Sequence, residues 1–159
     1  MKIALIQQHA TSDLEANLTR GLEHIDQAAS QGAEIAVFAE LAFTPFYPQY
    51  LAKDDISNLA EPVPGSTTEK FMAKAKEHQM VIIINLFELD NGKTYDASPV
   101  IDADGTLLGT TRLVHIADYK CFYEISYYAD GKHDEAVYDS AIGKVGVASY
   151  YVLGTSQHQ

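Results

Sequence analysis

Glu40 follows an apolar run, Ile35-Ala36-Val37-Phe38, and precedes an aromatic segment, Phe43-Thr44-Pro45-Phe46-Tyr47-Pro48. A carboxylate walled by aromatics loses water, is held protonated to higher pH and becomes fit to act as a general base. From its local sequence alone, the same glutamate is more simply read as the end of a strand in solvent. Reactive types also gather at Lys120-Cys121-Phe122-Tyr123-Glu124, with His115 upstream. A thiol, an imidazole and a carboxylate are the parts of a Cys/His/Glu nucleophile, and Lys120 would favour the thiolate. Nearness in sequence is not geometry, however, and a lone cysteine more often serves as a small, semi-apolar residue. His24 and His78 fall on helical patterns, His133 lies in a polar loop beside Asp134 and Glu135, and His158 is near the end. None of them has a second cluster at ligand spacing, so neither a metal nor a cofactor is expected.

The elements that must position these groups alternate along the chain. Residues 2–7 form a short aliphatic run that predicts a buried first strand. After Thr11-Ser12-Asp13, a capping sequence, Leu14, Leu18, Leu22, Ile25 and Ala29 form one apolar helical stripe, with Gly32 as its stop. A second buried strand is predicted over 34–41, then an irregular loop with one helical turn over 44–64, where Pro45, Pro48, Pro62 and Pro64 cluster. A second helix is predicted over 67–79 and a β-branched strand over 80–89. Asn91-Gly92 marks a turn, and strands over 95–102 and 106–114 fold into a hairpin around Asp104-Gly105. Residues 116–139 are loop-rich, and 143–152 close the sequence as a strand. This order predicts an α/β fold, with helices layered on a β-sheet made mixed by the hairpin. Polar chemistry in such sheets collects at strand ends, where Glu40 sits.

Composition bounds the partners. The 159 residues are 47% hydrophobic, enough for one domain with its own core. A net charge of −11 argues against nucleic acid or an anionic membrane surface as partner. There is no apolar run of the ~18 residues a membrane span requires, and no signal-peptide pattern opens the chain. With Cys121 as its one cysteine the chain forms no internal disulfide, which suits a reducing, cytoplasmic setting. The 10 tyrosines concentrate in two loops, either as pocket wall or as a surface for self-association.

Val37-Phe38-Ala39-Glu40-Leu41, Asp102–Gly109, Phe122-Tyr123-Glu124 and Gly143–Ala148 form an ordered series that resembles the nitrilase superfamily of carbon–nitrogen hydrolases, and within it the carbamoyl-amine hydrolases. Phe38-Ala39-Glu40-Leu41 with Pro45-Phe46-Tyr47-Pro48 is similar to the base-bearing segment, and Leu59-Ala60-Glu61-Pro62 to the next loop. Asp102–Gly109 resembles the family hairpin, and Arg112-Leu113-Val114-His115-Ile116 the segment after it. Phe122-Tyr123-Glu124 with Tyr127-Tyr128 is similar to the loop of the second glutamate, and Gly143–Ala148 to the lead-in to the nucleophile. The resemblance runs to about residue 148 and covers about the first half of a family domain, while residues 149–159 diverge. A single incomplete domain over 1–159 is therefore expected, resembling the N-terminal half of the family's αββα sandwich.

The resemblance implies a chemistry. In the family, a glutamate deprotonates a cysteine that attacks an amide, nitrile or ureido carbon, and a lysine stabilises the oxyanion. It implies Glu40 as general base and Glu124 as supporting carboxylate. Leu113 stands at the lysine position and Tyr150 at the cysteine position. Arg112 is adjacent but should point to the opposite face, because side chains alternate along a strand. A phenol with an ordinary pKa of about 10 is a poor acyl-transfer nucleophile at neutral pH. The implied reading is a carbon–nitrogen hydrolase with impaired catalysis, whose substrate would be a small amide or N-carbamoyl amine. The alternative is a non-catalytic binding or assembly module. A half-domain sheet exposes apolar surface and open edges, so a homo-oligomer or an aggregation-prone chain is expected.

Overall fold

The leucine stripe folds as helix α1 (Leu14–Ser30), which starts where Asp13 accepts a hydrogen bond from the Ala16 amide at 3.0 Å. Helix α2 (Ser66–His78) ends on Gln79, whose left-handed backbone turns the chain back toward the sheet. The computed structural model describes residues 1–131 and 137–148. Strands β1 (Ile3–Ile6), β2 (Ile35–Phe38), β3 (Val81–Ile83), β4 (Leu86–Asp90), β5 (Lys93–Ile101) and β6 (Leu107–Arg112) form one mixed six-stranded sheet. β1, β2 and β3 run parallel, whereas β5 is antiparallel to β3, β4 and β6. The two hairpin turns fall where the sequence predicts them, with Asn91, Gly92 and Gly105 all at positive φ.

Both helices cover one face of the sheet. Leu18, Ile25, Phe71 and Ala75 pack against Ala36, Ile82, Ile84 and Ile101 in the largest core cluster. Each side chain buried as fully as Phe71 contributes about 1.5–3 kcal/mol. Three phenylalanine rings, Phe38, Phe43 and Phe71, meet there with centroids 5.0–5.3 Å apart.

The opposite face carries Val37, Ile83 and Val100, and it is partly covered by a hairpin of β9 (Val137–Ser140) and β10 (Gly143–Gly146). Tyr138 from this hairpin sets its ring edge against Gly109, where a Cβ would come within 2.5 Å of the ring. Its hydroxyl is 2.9 Å from Thr111 Oγ1. In chain order, β7 (Asp118–Tyr119), β8 (Phe122–Tyr123) and a 3-10 turn over Glu124–Ser126 come between β6 and β9.

Four expectations are corrected. Residues 80–89 do not form one unbroken strand. Ile83 faces Val100 and Leu86 faces Ala97 in a single register, but opposite Ile84 stands Pro99, which has no N–H to donate. The ladder lapses there, with the Ile84 amide 3.4 Å from the Pro99 carbonyl. The first strand is not buried: β1 is the sheet's edge, and Leu5 is 77% exposed. The 44–64 loop holds two 3-10 turns, Tyr47–Gln49 and Ser57–Leu59, where one was expected. The last strand ends at Gly146, and residues 149–152 of the predicted strand lie outside the described residues.

Candidate active site

Neighbouring residues at the end of β6 part to opposite faces of the sheet. Arg112 is in register with Ala97 and turns toward the helix side. Its Nε and Nη2 donate to the two carboxylate oxygens of Glu88 at 2.6 and 2.7 Å, and Nη2 also donates to Asp90 at 2.9 Å. The guanidinium carbon stands 3.9 Å from the centre of the Tyr95 ring. These acceptors, Glu88 first, push the guanidinium further up from an already high pKa. Leu113 turns the other way. It is 6% exposed and packs with Leu41, Phe87, Tyr127 and Tyr128.

On Leu113's side the strand ends enclose a cavity of about 260 Å³, bordered by Glu40, Asn85, Asp96, Ser98, Leu113 and Val147 among others. The amide of Asn85 organises its floor. Its Oδ1 accepts from the Leu41 amide at 2.7 Å, and its Nδ2 donates to Asp96 Oδ1 at 2.6 Å and to Ser98 Oγ at 3.1 Å. One side chain therefore fixes the residue after Glu40 to the middle of β5. Asp96 is 5% exposed, and its Oδ2 has no donor.

Glu124, 1% exposed, accepts from the Ala117 amide through Oε2 at 2.8 Å. Burial pushes its carboxyl upward, partly opposed by that amide and reinforced by the Glu40 charge. Burial, and after it the Glu40 carboxylate, holds Asp96 well above the usual carboxylate range. The Tyr128 hydroxyl is buried without a partner and is driven upward by the same burial and by Asp96, Glu40 and Glu124. Three carboxyls and a phenol thus share one region, and the guanidinium of Arg112, a residue that also borders the cavity, is spent on Glu88 and Asp90.

Glu40 and Glu124, 84 positions apart in sequence, are electrostatic neighbours here. Glu40 itself is exposed at the cavity edge, so the desolvation anticipated for it falls on Asp96 and Glu124. Leu113 lines the cavity, as do Val147 and Ala148. Tyr150 lies outside the described residues, as do His133 and His158. Cys121 is exposed at the tip of the β7–β8 hairpin with φ +68°, whereas Glu124 is buried. Sequence reasoning missed Asp96. Its signal was a carboxylate set between Tyr95 and Ala97 in the strand predicted over 95–102. On the helix surface Asp26, Glu77 and His78 bring ligand atoms within 4.8 Å of one another, but Lys74 Nζ already stands 2.6 Å from Asp26. Among the described residues no helix is long and apolar enough to cross a membrane.

The comparisons with known proteins agree with this frame. The sequence profile described as Carbon-nitrogen hydrolase matches residues 2–155, and the chain belongs to that family. It is 33% identical over 147 residues to an N-carbamoylputrescine amidase of Solanum lycopersicum, covering 92% of this chain and 49% of that protein. It is 36% identical over 118 residues to the human omega-amidase NIT2, covering 74% and 41%. The chain spans about half the length of these curated relatives. Among solved structures, a carbon–nitrogen hydrolase from Helicobacter pylori G27 superposes with a TM-score of 0.82 at 23% identity, over 91% of this chain and 50% of that one. That likeness establishes the shared fold, a mixed α/β sheet with helices.

Proposed function

We propose that this chain carries the acid–base side of a carbon–nitrogen hydrolase site for a small amide or N-carbamoyl amine, and that as it stands it turns over such substrates very weakly. The observation that carries the reading is Leu113. It occupies the family's lysine position, is buried at the cavity wall and offers neither charge nor donor to an oxyanion. Losing one oxyanion donor costs about 10²–10³ in rate. Replacing the attacking thiol by the Tyr150 phenol removes the nucleophile as well. Members of such a unit do not contribute independently, so the combined loss is not their product. Glu40 remains as base and Glu124 as its supporting carboxylate.

The test is ammonia release from an N-carbamoyl diamine and from small primary amides. Wild-type protein should show none above buffer, and Leu113→Lys combined with Tyr150→Cys should gain a measurable rate that neither single change gives. Turnover by the wild type at a rate typical of enzymes, about 1–10³ s⁻¹, would end the impairment reading. A double variant that binds and hydrolyses nothing would remove the substrate assignment. Self-association is favoured as a second property by the exposed edge residues Ile3 and Leu5. Sedimentation of a single monomeric species across a wide concentration range would exclude it.

A further inference from the structure

Asp96 and Glu40 border the same cavity, and the Asn85 amide ties the two together: it donates to Asp96 Oδ1, and it accepts from the amide that follows Glu40. The second oxygen of Asp96 is buried and meets no donor among fixed N–H or hydroxyl groups. The Glu40 side chain borders the same cavity and bears on Asp96 both as a charge and as a side-chain hydrogen-bond partner. Two ionised carboxylates cannot bond to each other, because each only accepts. One proton between them makes the contact a hydrogen bond and satisfies the stranded oxygen.

We propose that Asp96 is a positioning residue for Glu40, holding the proton that bridges the two carboxyls so that the pair meets the cavity with a single negative charge. Among the groups that bear on Asp96 from the surrounding elements, the carboxylates favour this state, and the Asn85 amide that donates to Oδ1 opposes it. Glu124, on the 3-10 turn, adds a negative charge, and the neutral Tyr128 hydroxyl adds none. Asn85 and Ser98 are neutral neighbours. Arg112 is held by Glu88 and Asp90 across the sheet. Buried carboxyl pairs without a cation respond in this way because like charges at contact cannot both persist. The proposal requires no turnover, so it stands or falls apart from the hydrolase reading.

The experiment is thermal unfolding of the full chain between pH 4 and pH 8 for wild type, Asp96→Asn and Glu40→Gln. Near pH 4 an unfolded aspartate is about half ionised while folded Asp96 keeps its proton, so stability is lost as pH rises from there toward the folded value. Asparagine copies the protonated acid, accepting from Asn85 and donating to Glu40. Asp96→Asn should therefore melt close to wild type at pH 4 and a few degrees above it at pH 8. Glu40→Gln supplies a donor to Asp96 and should move this pH dependence to lower pH. Parallel melting curves for wild type and Asp96→Asn across the range would overturn the proposal, as would an Asp96 titration indifferent to Glu40→Gln. Should Asp96→Asn fail to fold, ¹³C carboxyl resonances of the wild type decide. Two-step titration seen at both Asp96 and Glu40 supports the shared proton, and independent single steps refute it.

Discussion

The two faces of the sheet treat charge in opposite ways within one residue of each other. On the helix side, Glu88 is buried but matched, its two oxygens bonded to the Arg112 fork. On the cavity side, Asp96 and Glu124 are equally buried, with only amide donors and a neighbouring carboxylate for company. The first arrangement holds a fold together. The second costs stability, and such a cost persists in proteins chiefly where chemistry is or was performed. Leu113 sits where a cation would have balanced the account.

Breaking the matched side should have the largest effect. Arg112→Ala leaves Glu88 buried and unpaired and should lower unfolding free energy by about 3–5 kcal/mol in urea titrations. A loss below 1 kcal/mol would mean that the ion pair is not what secures β4 to β6. Next comes the apolar wall of the other face. Leu113→Ala, which vacates space among Leu41, Phe87 and Tyr127, should cost about 2–4 kcal/mol by the same measurement.

The unmatched acids should give a smaller effect of opposite sign. The folded pKa of Glu124 is raised, so its burial penalty is absent below about pH 4, where the unfolded side chain is also protonated, and grows as pH rises toward the folded value. Glu124→Gln should thus gain up to about 1 kcal/mol over wild type at pH 8 and nothing at pH 4, the gain being limited by any weakening of the Ala117 hydrogen bond. Equal differences at both pH values would show that Glu124 does not titrate abnormally. The smallest change is expected at the hairpin: Tyr138→Phe removes the contact to Thr111 and should cost about 0.5–1 kcal/mol.

The contrast also marks what a sequence discloses. Turn chemistry was legible, since Asn91-Gly92 and Asp104-Gly105 dictate hairpins through backbone freedom that is local to them. The α1 stripe and its Asp13 cap were equally local. The lapse at Ile84 was not, because it depends on Pro99 standing opposite, a matter of register between distant strands. Alternation along β6 put Arg112 and Leu113 on different faces, as read from the sequence. It could not say that Glu88 and Asp90 would be waiting for the guanidinium. Glu40 and Glu124 were found through family likeness, whereas Asp96 was hidden by its position inside a strand, where a carboxylate is read as one more alternating residue. The exposure of β1 was missed because edge and interior strands of a parallel sheet have the same aliphatic composition.

The Leu41 amide offers a built-in gauge of all this. It is clamped at 2.7 Å by Asn85 in a residue of positive φ, and Leu41 is almost wholly buried. Deuterium can reach that hydrogen only when the segment bearing Glu40 lifts away from the sheet. Its exchange rate therefore times the opening of the Glu40 segment directly, with no substrate, nucleophile or catalytic turnover needed to make the motion visible.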